Sequence, residues 1–262
     1  MEMTVAEIRA ALQAADDGEF AVLERALKDD PRKGVRSAVE TARRRLQAAS
    51  AERERVQELY RFEDELVAAH GGGIAVGLDE VGRGPLAGPL AVGAVVLTNR
   101  TPIPGLNDSK QVRPEQRAEI AQRIRETALA STVEYVAPAE IDRIGMTAAL
   151  RRAFAAAVAR IEAAGVVPDV ILLDGNPLHF DKREVNVVKG DAHCASIAAA
   201  SIIAKVERDE LMCRKALEYP EYGFDQNKGY ASAAHISAIE RYGLCPEHRE
   251  SFCGSFLQQT LF

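Results

Sequence analysis

Apolar and polar positions alternate with one period at the start of the chain and with another in the rest, and the change comes near residue 70. Before it, apolar residues recur at helical spacing, and a long helix is predicted over residues 35–69. Thr4 and Glu7 are spaced as the two partners of a capping box at the start of the first helix. Residues 1–70 are therefore predicted to form a helical hairpin, in which Gly18 interrupts the helical pattern.

A glycine-rich joint, Gly71-Gly72-Gly73, separates this extension from a segment with a different pattern. Short runs of valine, isoleucine and alanine there are typical of buried strands, and stretches with helical spacing lie between them. The predicted strands cover residues 74–78, 90–97, 132–136, 170–173 and 185–188, and the predicted helices cover residues 114–130, 148–164 and 193–219. The first two strands are expected to form a hairpin-like pair. Strands that alternate with helices predict an α/β fold, with residues 71–262 as the second domain.

Composition narrows the class of protein. Hydrophobic residues make up 47% of the chain and charged residues 27%, as is ordinary for a soluble globular protein. No apolar run approaches the roughly 20 residues that cross a bilayer, and the amino terminus lacks the basic start of a secretory signal. We therefore expect a cytoplasmic protein that binds no membrane. The four cysteines form no Cys-x-x-Cys pair, so reduced structural cysteines are favoured over a zinc site.

Acidic residues follow three of the predicted strands at the point where each strand ends. Asp79 and Glu80 end the first strand, Asp174 ends the fourth, and Asp191 follows the fifth. Ligand-binding and catalytic groups of sheet proteins gather where strands end and loops begin. A single aspartate there is equally well explained as a turn residue. Four acids at three strand ends favour a shared site instead.

Carboxylates held close together repel one another, which raises their pKa values unless cations bind among them. Magnesium and manganese ions prefer oxygen ligands, whereas zinc sites normally include histidine or cysteine, which do not accompany the acids at all three places. Two such ions about 4 Å apart can stabilise both the attacking and the leaving oxygen of a phosphodiester. The acids therefore predict metal-assisted phosphodiester hydrolysis.

Gly82-Arg83-Gly84 directly follows the first pair of acids. Glycines there allow the strand to end or bulge, so that both Asp79 and Glu80 can serve one site. Exposed backbone amides in such a segment can also bind sugar or phosphate oxygens. The alternative is a tight turn whose arginine points to water, and the three residues by themselves do not exclude it.

Several motifs together resemble type 2 ribonuclease H, the ribonuclease HII family, and they lie in order between residues 74 and 254 with the spacing of that family. They are Val76–Leu97, Asn107-Asp108-Ser109-Lys110, Leu173-Asp174-Gly175, Lys189-Gly190-Asp191-Ala192, Ala199–Asp209, Lys228-Gly229-Tyr230 and the tail from Tyr242 to Phe252. The resemblance implies a ribonuclease H-like mixed sheet flanked by helices, with a helical C-terminal part and an N-terminal helical extension.

The resemblance also implies roles for single residues. The catalytic, metal-binding residues would be Asp79, Glu80, Asp174 and Asp191. The segment Gly82-Arg83-Gly84 would bind around the 2′-hydroxyl of the ribonucleotide on the 5′ side of an RNA–DNA junction, the group that distinguishes RNA from DNA. Tyr230 would pack against the following deoxyribose. Ser109 and Lys110 would hold a phosphate.

The family that the chain resembles cuts RNA in RNA–DNA hybrids and at single ribonucleotides embedded in duplex DNA, leaving a 3′-hydroxyl and a 5′-phosphate. We therefore expect those two nucleic acids as substrates, magnesium or manganese as cofactor with two ions in the working complex, and the removal of misincorporated ribonucleotides as the role. Two alternatives stay open. One is a general hybrid nuclease or a resolvase of the same fold, which Gly82-Arg83-Gly84 and Tyr230 disfavour. The other is a non-catalytic nucleic-acid binding module, which the four carboxylates disfavour.

Two features depart from the family pattern. After Gly229-Tyr230 the family usually continues with proline and threonine, whereas this chain has Ala231-Ser232, which bears on its junction preference. The N-terminal extension lies outside the catalytic motifs. It is expected to dock a protein partner, to form a dimer interface or to brace the catalytic domain.

The net charge of −6 runs against a nucleic-acid partner. Residues 1–70 hold 12 lysines and arginines against 15 aspartates and glutamates, so the extension is not a basic arm. Binding of two divalent ions to the four acids would reverse the charge around the site. A modest basic rim would then be formed by Lys110, Arg113, Lys189, Lys205 and Lys228. We therefore expect weak, salt-sensitive binding of nucleic acid without metal.

Overall fold

The computed structural model describes residues 3–98 and 101–257, and the chain divides into two compact units, Met1–Gln57 and Glu58–Phe262. The helices are α1 (Val5–Ala14), α2 (Asp17–Ala26), α3 (Lys33–Ala69), α4 (Pro114–Thr127), α5 (Pro138–Ile144), α6 (Met146–Ala163), α7 (Gly190–His193), α8 (Ala195–Glu218), α9 (Phe224–Asn227), α10 (Ala233–Tyr242) and α11 (Glu250–Leu257), with a short 3-10 helix at Pro220–Tyr222. The strands are β1 (Ala75–Val81), β2 (Leu90–Val96), β3 (Ala130–Val136), β4 (Val170–Asp174) and β5 (Glu184–Val187).

The first unit contains α1, α2 and the first part of α3. Thr4 and Glu7 form the predicted capping box, because the Glu7 N–H donates to the Thr4 hydroxyl at 3.3 Å and the Thr4 N–H donates to the Glu7 carboxylate at 2.7 Å. The predicted interruption is present but lies at Ala15 and Asp16 instead of Gly18, because Asp16 caps α2 and Gly18 lies in its first turn. Two short helices therefore precede the long one, in place of a single arm of a hairpin. The core of this unit consists of Ile8, Leu12, Ala15, Phe20, Val35, Ala38, Ala42 and Leu46.

The five strands of the second unit form one mixed sheet in the order β3-β2-β1-β4-β5. β1 pairs antiparallel with β2, which confirms the predicted hairpin-like pair, and β2 pairs antiparallel with β3. β1 and β4 run parallel to each other, as do β4 and β5. The sheet thus confirms the predicted α/β class and the mixed strand directions.

Alternate residues of the central strands face opposite layers of helices. Val76 and Leu78 of β1 belong to a core that includes residues of α6, whereas Gly77 and Gly93 face α8. A Cβ at Gly77 would lie 2.2 Å from a backbone atom of α8, and one at Gly93 would lie 2.3 Å from another. These glycines let α8 pack directly on the strands. Asp79, two residues after Gly77, lies on the same face and points toward this helix.

The helix predicted over residues 193–219 is confirmed as α8, but a break at Cys194 separates its first predicted residue, His193, from the rest. Lys189 has a left-handed conformation with φ of 56° and begins the short helix α7, and Cys194 is extended between α7 and α8. The alanine-rich sequence continues the helical pattern through this break, so the pattern could not reveal it. The other two predicted helices are likewise confirmed, as α4 and α6, whereas α5, α10 and α11 were not predicted.

The last turns of α3 belong to the second unit, which begins at Glu58. There Val67 packs with Ala75 of β1 and with Ile197 of α8. The Tyr60 hydroxyl accepts a hydrogen bond of 3.3 Å from the N–H of Ile103. The domain boundary predicted at residue 70 stays a prediction. The compact units divide earlier, between Gln57 and Glu58.

Two further expectations concern the chain as a whole. In the parts that the structure describes, there is no helix with the length and apolar content needed to span a bilayer. All four cysteines are free thiols; Cys194 and Cys253 are buried, Cys245 is partly buried and Cys213 is exposed.

Candidate active site

The strand ends that were predicted to carry acids meet at one edge of the sheet. β1 and β4 are parallel neighbours, so Asp79 and Asp174 follow paired residues at the same level of the two strands. The chain leaves β5 and turns into α7, which carries Asp191. The Gly190 N–H donates a hydrogen bond of 2.6 Å to the Asp174 Oδ1 atom, which ties α7 to the end of β4.

Asp79 is the most deeply buried of the four acids, with 5% of its surface exposed. Burial raises its pKa well above the usual range, and the negative charge of Glu80 raises it further. The charges of Asp174 and Asp191 act in the same direction, whereas the Ser201 hydroxyl opposes them. The four carboxylates therefore lie close enough to repel one another.

The carboxyl pKa values of Glu80 and Asp191 are raised as well. Burial raises the pKa of both carboxyls, and the charge of Asp174 contributes to each shift. Each also has a cation beside it, with the Arg83 Nη1 atom 3.5 Å from Glu80 and the Lys110 Nζ atom 3.5 Å from Asp191. Arg83 and Lys110 lower the pKa values of Glu80 and Asp191, but burial, the largest cause, keeps both raised.

The acids are neighbours, but they do not converge on a single point. Within residues 3–98 and 101–257, no group of three or more aspartate, glutamate, histidine or cysteine side chains is arranged to hold a metal ion. The donor set itself fits a hard divalent cation, because it consists of carboxylate oxygens whose repulsion a cation would relieve. An ion would be held only after these side chains rotate toward one another.

A buried arginine supports the segment from Gly82 to Gly84. Arg249 donates hydrogen bonds to the carbonyl oxygens of Gly82 at 2.6 Å and Arg83 at 3.1 Å, and to a third carbonyl farther along the loop. Gly82 has φ of 89°, and a Cβ there would lie 2.1 Å from the Nε atom of Arg208, so the position requires glycine. The Arg83 side chain is largely exposed.

A second buried arginine joins this loop to the segment that carries Tyr230. Arg208 of α8 donates to the carbonyl oxygens of Ala87 at 3.2 Å, Pro89 at 2.9 Å and Lys228 at 3.0 Å. No sequence signal could identify its partners, because every residue carries a backbone carbonyl.

Tyr230 is partly exposed, at 45% of its surface, beside this loop. The carbonyl of the preceding Gly229 accepts hydrogen bonds of 2.9 and 3.2 Å from two N–H groups of the loop after β1. Ser232 is one of the two residues that depart from the family pattern. Its hydroxyl accepts a hydrogen bond of 3.1 Å from the His235 N–H and caps α10. A threonine hydroxyl could make the same bond, so the serine preserves the local structure after the tyrosine.

Ser109 and Lys110 lie on another side of the acids. Ser109 is buried, and its hydroxyl accepts a hydrogen bond of 3.0 Å from the hydroxyl of Ser201, the residue that also neighbours Asp79. The Lys110 side chain is largely exposed, with its ammonium group beside Asp191. The structure therefore leaves Lys110 accessible to a phosphate and places Ser109 in the layer behind Asp79.

The mixed sheet, its two layers of helices and the acids at its strand ends are those of a ribonuclease H-like protein. The family model described as "Ribonuclease HII" matches residues 76–255, and the model described as "Ribonuclease HII N-terminal domain" matches residues 4–67. The chain belongs to the ribonuclease HII family. It is therefore a nuclease, and the resemblance inferred from its motifs is confirmed.

Individual relatives agree over nearly the full length. Ribonuclease HII from Bacillus cytotoxicus is 40% identical over 246 residues, which cover 94% of this chain and 92% of that protein. Ribonuclease HII from Pelotomaculum thermopropionicum is 42% identical over 268 residues, covering 97% of this chain and 96% of that protein. The crystal structure of ribonuclease H2 from Pyrococcus horikoshii OT3 is similar with a TM-score of 0.60 and 27% identity, over 71% of this chain and 98% of that one.

Proposed function

We propose that this endoribonuclease hydrolyses the RNA strand of RNA–DNA hybrids and cuts at single ribonucleotides embedded in duplex DNA. It would cut on the 5′ side of the junction ribonucleotide, leave a 3′-hydroxyl and a 5′-phosphate, and so remove misincorporated ribonucleotides. The observation that carries the proposal is the joint placement of the two substrate-reading segments. Buried Arg249 holds the Gly82 carbonyl, and buried Arg208 links Ala87, in the same loop, to Lys228, two residues before Tyr230.

Divalent magnesium or manganese ions, two in the working complex, would be held by Asp79, Glu80, Asp174 and Asp191. When bound, such ions supply stabilisation of the charge that develops on the attacking and leaving oxygens of a phosphodiester. The raised pKa values of Asp79, Glu80 and Asp191 support this assignment, because burial, with the charges of neighbouring acids, disfavours the ionised carboxylates that a cation would stabilise.

The Gly82–Gly84 segment would read the ribose. Arg249 draws the carbonyl oxygens of Gly82 and Arg83 inward, so the opposite side of the segment is left for substrate. Gly84 has open space where a Cβ would stand, which lets the backbone approach a sugar closely. Backbone polar groups at such a distance can bond the 2′-hydroxyl, a contact that DNA cannot offer.

Tyr230 would read the next sugar. Its exposed ring would pack on a deoxyribose, where an added hydroxyl is crowded, so the enzyme selects a ribonucleotide followed by a deoxyribonucleotide. Ser109 and Lys110 would hold a phosphate near Asp191, and the Ser109 hydroxyl also accepts a hydrogen bond from Ser201. These contacts distinguish the proposed enzyme from a general hybrid nuclease, which does not need a paired ribose and deoxyribose.

The test is cleavage of a DNA duplex that holds one ribonucleotide, with an all-DNA duplex and a uniform RNA–DNA hybrid in parallel and with magnesium, manganese or a chelator. We expect cleavage of the first and third substrates only with metal, at the 5′ side of the single ribonucleotide. Products should carry 3′-hydroxyl and 5′-phosphate ends. Cleavage of the uniform hybrid alone would refute the junction preference, and cleavage in the chelator would refute the metal requirement.

A further inference from the structure

Two histidines are buried together beneath Tyr230, and the proposed reaction uses neither of them. His235 lies in the first turn of α10 and is 0% exposed, while His248 precedes α11 and is 3% exposed. Their Nε2 atoms are 3.1 Å apart. Aromatic rings enclose the pair, with Tyr222 4.8 Å from His248 and Phe224 5.4 Å from His235 between ring centroids.

The hydrogen bonds around the pair determine where its protons lie. The Cys245 N–H donates to His248 Nδ1 at 2.9 Å, so that nitrogen has no proton and the proton of the neutral ring is on Nε2. His248 Nδ1 is also 3.3 Å from the Cys245 carbonyl, but this carbonyl already accepts the His248 N–H at 2.9 Å. His248 Nε2–H therefore donates to His235 Nε2. The remaining proton of His235 is on Nδ1, which donates to the Tyr230 carbonyl at 2.8 Å.

This relay ends on the backbone of Tyr230. The Tyr230 carbonyl accepts a second hydrogen bond of 2.8 Å from the Ser232 N–H, and the Tyr230 N–H donates to the Asn227 carbonyl at 2.9 Å. Hydrogen bonds thus hold both the N–H and the carbonyl of Tyr230, while its ring is exposed. A group fixed in this way keeps its orientation relative to a bound substrate.

The other end of the relay is joined to the loop that would read the ribose. His248 forms an isolated antiparallel bridge with Ala87, in the loop after β1. The next residue, Arg249, donates to the Gly82 carbonyl at 2.6 Å. The histidine pair therefore lies between the two segments that would read neighbouring sugars.

We propose that His235 and His248 are positioning residues, which fix Tyr230 relative to the Gly82–Gly84 segment and thereby set the preference for a ribose followed by a deoxyribose. The inference rests on the proposed function of Tyr230. A shift of the tyrosine by a fraction of its ring width would change the fit of the second sugar while leaving the acids in place. The pair would thus act on substrate choice more than on the chemical step.

The relay requires both rings to be neutral. Burial lowers the pKa of His248 to about 4 and also lowers the pKa of His235, so neither ring is charged near pH 7. In a charged ring both nitrogens carry protons. In a charged His248 the Nδ1–H donor would face the Cys245 N–H donor. In a charged His235 the Nε2–H donor would face the Nε2–H donor of His248.

The first test is made on the unaltered full-length protein, by two-bond ¹H–¹⁵N correlation spectra of its histidines at neutral pH. We expect His248 as the neutral Nε2–H tautomer and His235 as the neutral Nδ1–H tautomer. The opposite tautomers, or a charged ring at either position, would overturn the inference. This measurement needs no variant to fold.

The second test compares cleavage of the single-ribonucleotide duplex with cleavage of a uniform hybrid, as the ratio of the two kcat/KM values. His235→Leu removes the donor to Tyr230 and should lower this ratio about tenfold, the effect of one lost buried hydrogen bond. His235→Asn keeps an N–H donor near the position of Nδ1 and should retain most of the ratio. His70→Leu, at an exposed histidine, is the matched control and should leave the ratio unchanged.

Tyr230→Ala is measured beside these variants, so that a failure of the relay inference can be told from a failure of the proposed role of Tyr230. If Tyr230→Ala lowers the ratio and His235→Leu does not, the relay inference is overturned while the proposed function stands. If Tyr230→Ala leaves the ratio unchanged, the proposed role of Tyr230 is overturned, and the inference falls with it. A lowered ratio in Tyr230→Ala and His235→Leu, with recovery in His235→Asn, supports both.

Discussion

The carboxylate of Glu63 accepts a hydrogen bond of 2.6 Å from the backbone N–H of Ser196. The Cys194 thiol donates to the same carboxylate at 3.3 Å, and Glu63 is 1% exposed. Ser196 lies in the first turn of α8, where N–H groups have no partner within the helix and a negative charge is favourable. An acid from the last turns of α3 thus caps the helix that begins just after Asp191.

Removal of this cap should destabilise the fold. We expect Glu63→Ala to lower the free energy of unfolding by about 2 kcal/mol, because it leaves buried N–H and thiol donors without their acceptor. Glu63→Gln keeps an acceptor oxygen without the charge and should fall between Glu63→Ala and the unaltered chain. Denaturant unfolding measures the effect, with Glu65→Ala at an exposed position of the same helix as control. Equal losses in Glu63→Ala and Glu65→Ala would contradict the capping role.

Two truncations test what the extension contributes. A chain that begins at residue 58 keeps Tyr60, Glu63 and Val67, whereas one that begins at residue 70 loses all three. Because those side chains bond or pack on the second unit, we expect the shorter chain to melt at a clearly lower temperature than the longer one. Turnover of the single-ribonucleotide duplex, measured well below both melting temperatures, shows whether residues 1–57 act on substrate. Equal melting temperatures for the two truncated chains would refute the bracing role of residues 58–69.

A loss of charge at Asp174 should stop catalysis without unfolding the protein. In Asp174→Asn the side-chain oxygen can still accept the 2.6 Å hydrogen bond from the Gly190 N–H, so the local structure should persist. The carboxylate that would bind metal is gone, and we expect cleavage to fall at least about a thousandfold. Initial rates with the single-ribonucleotide duplex measure this, with Asp29→Asn as control. Near-normal turnover in Asp174→Asn would remove this residue from the mechanism.

Local patterns in the sequence predicted the parts of the site that depend on local structure. Asp79 and Asp174 each follow an apolar run that is visible without knowledge of its neighbours; β4 ends at Asp174 as predicted, whereas β1 continues past Asp79 and Glu80 to Val81. The positive φ of Gly82 likewise follows from the need for a turn after the acids. The sequence therefore located the acids and the loop beside them.

Contacts between distant segments could not be predicted in the same way. Glu63 is 133 residues from Ser196, and Arg249 is 167 residues from Gly82. Their partners are backbone groups, which every residue carries, so no pairing of side-chain types marks them. The extended Cys194 between α7 and α8 is similarly hidden, since the side chains around it continue a helical pattern.

The repulsion among the acids predicts that metal-free protein gains stability when one charge is removed. Asp79 is the best position, because burial and the neighbouring carboxylates both disfavour its charged form. In Asp79→Asn the side-chain oxygen can still accept the hydrogen bond of 2.8 Å from the Glu80 N–H. We expect a higher melting temperature than that of the unaltered chain in a chelator at pH 7. Magnesium should raise the melting temperature of the unaltered chain more than that of the variant, and the reverse order would refute a metal site at these acids.

The buried histidine pair predicts how stability depends on pH. Burial, with a smaller contribution from the neighbouring His235, lowers the pKa of His248 from 6.5 to about 4. The unfolded chain therefore binds a proton more readily than the folded one between these two pH values, so the stability contributed by this ring is complete above pH 6.5 and is lost as pH falls toward 4. The groups that face the ring are His235, Tyr222 and Cys245, and the latter two are neutral throughout this range.

A variant that cannot titrate at this position isolates the effect from that of the acids. His248→Gln keeps an N–H donor of similar reach but has no ring to protonate, and the carboxylates titrate alike in both chains. We expect the unaltered chain to be the more stable at pH 7.5, and its advantage over His248→Gln to shrink steadily as denaturant unfolding is repeated down to pH 4.5. A constant or growing advantage would show that His248 is already charged in the folded protein, because only a ring that folding keeps neutral loses stability in acid.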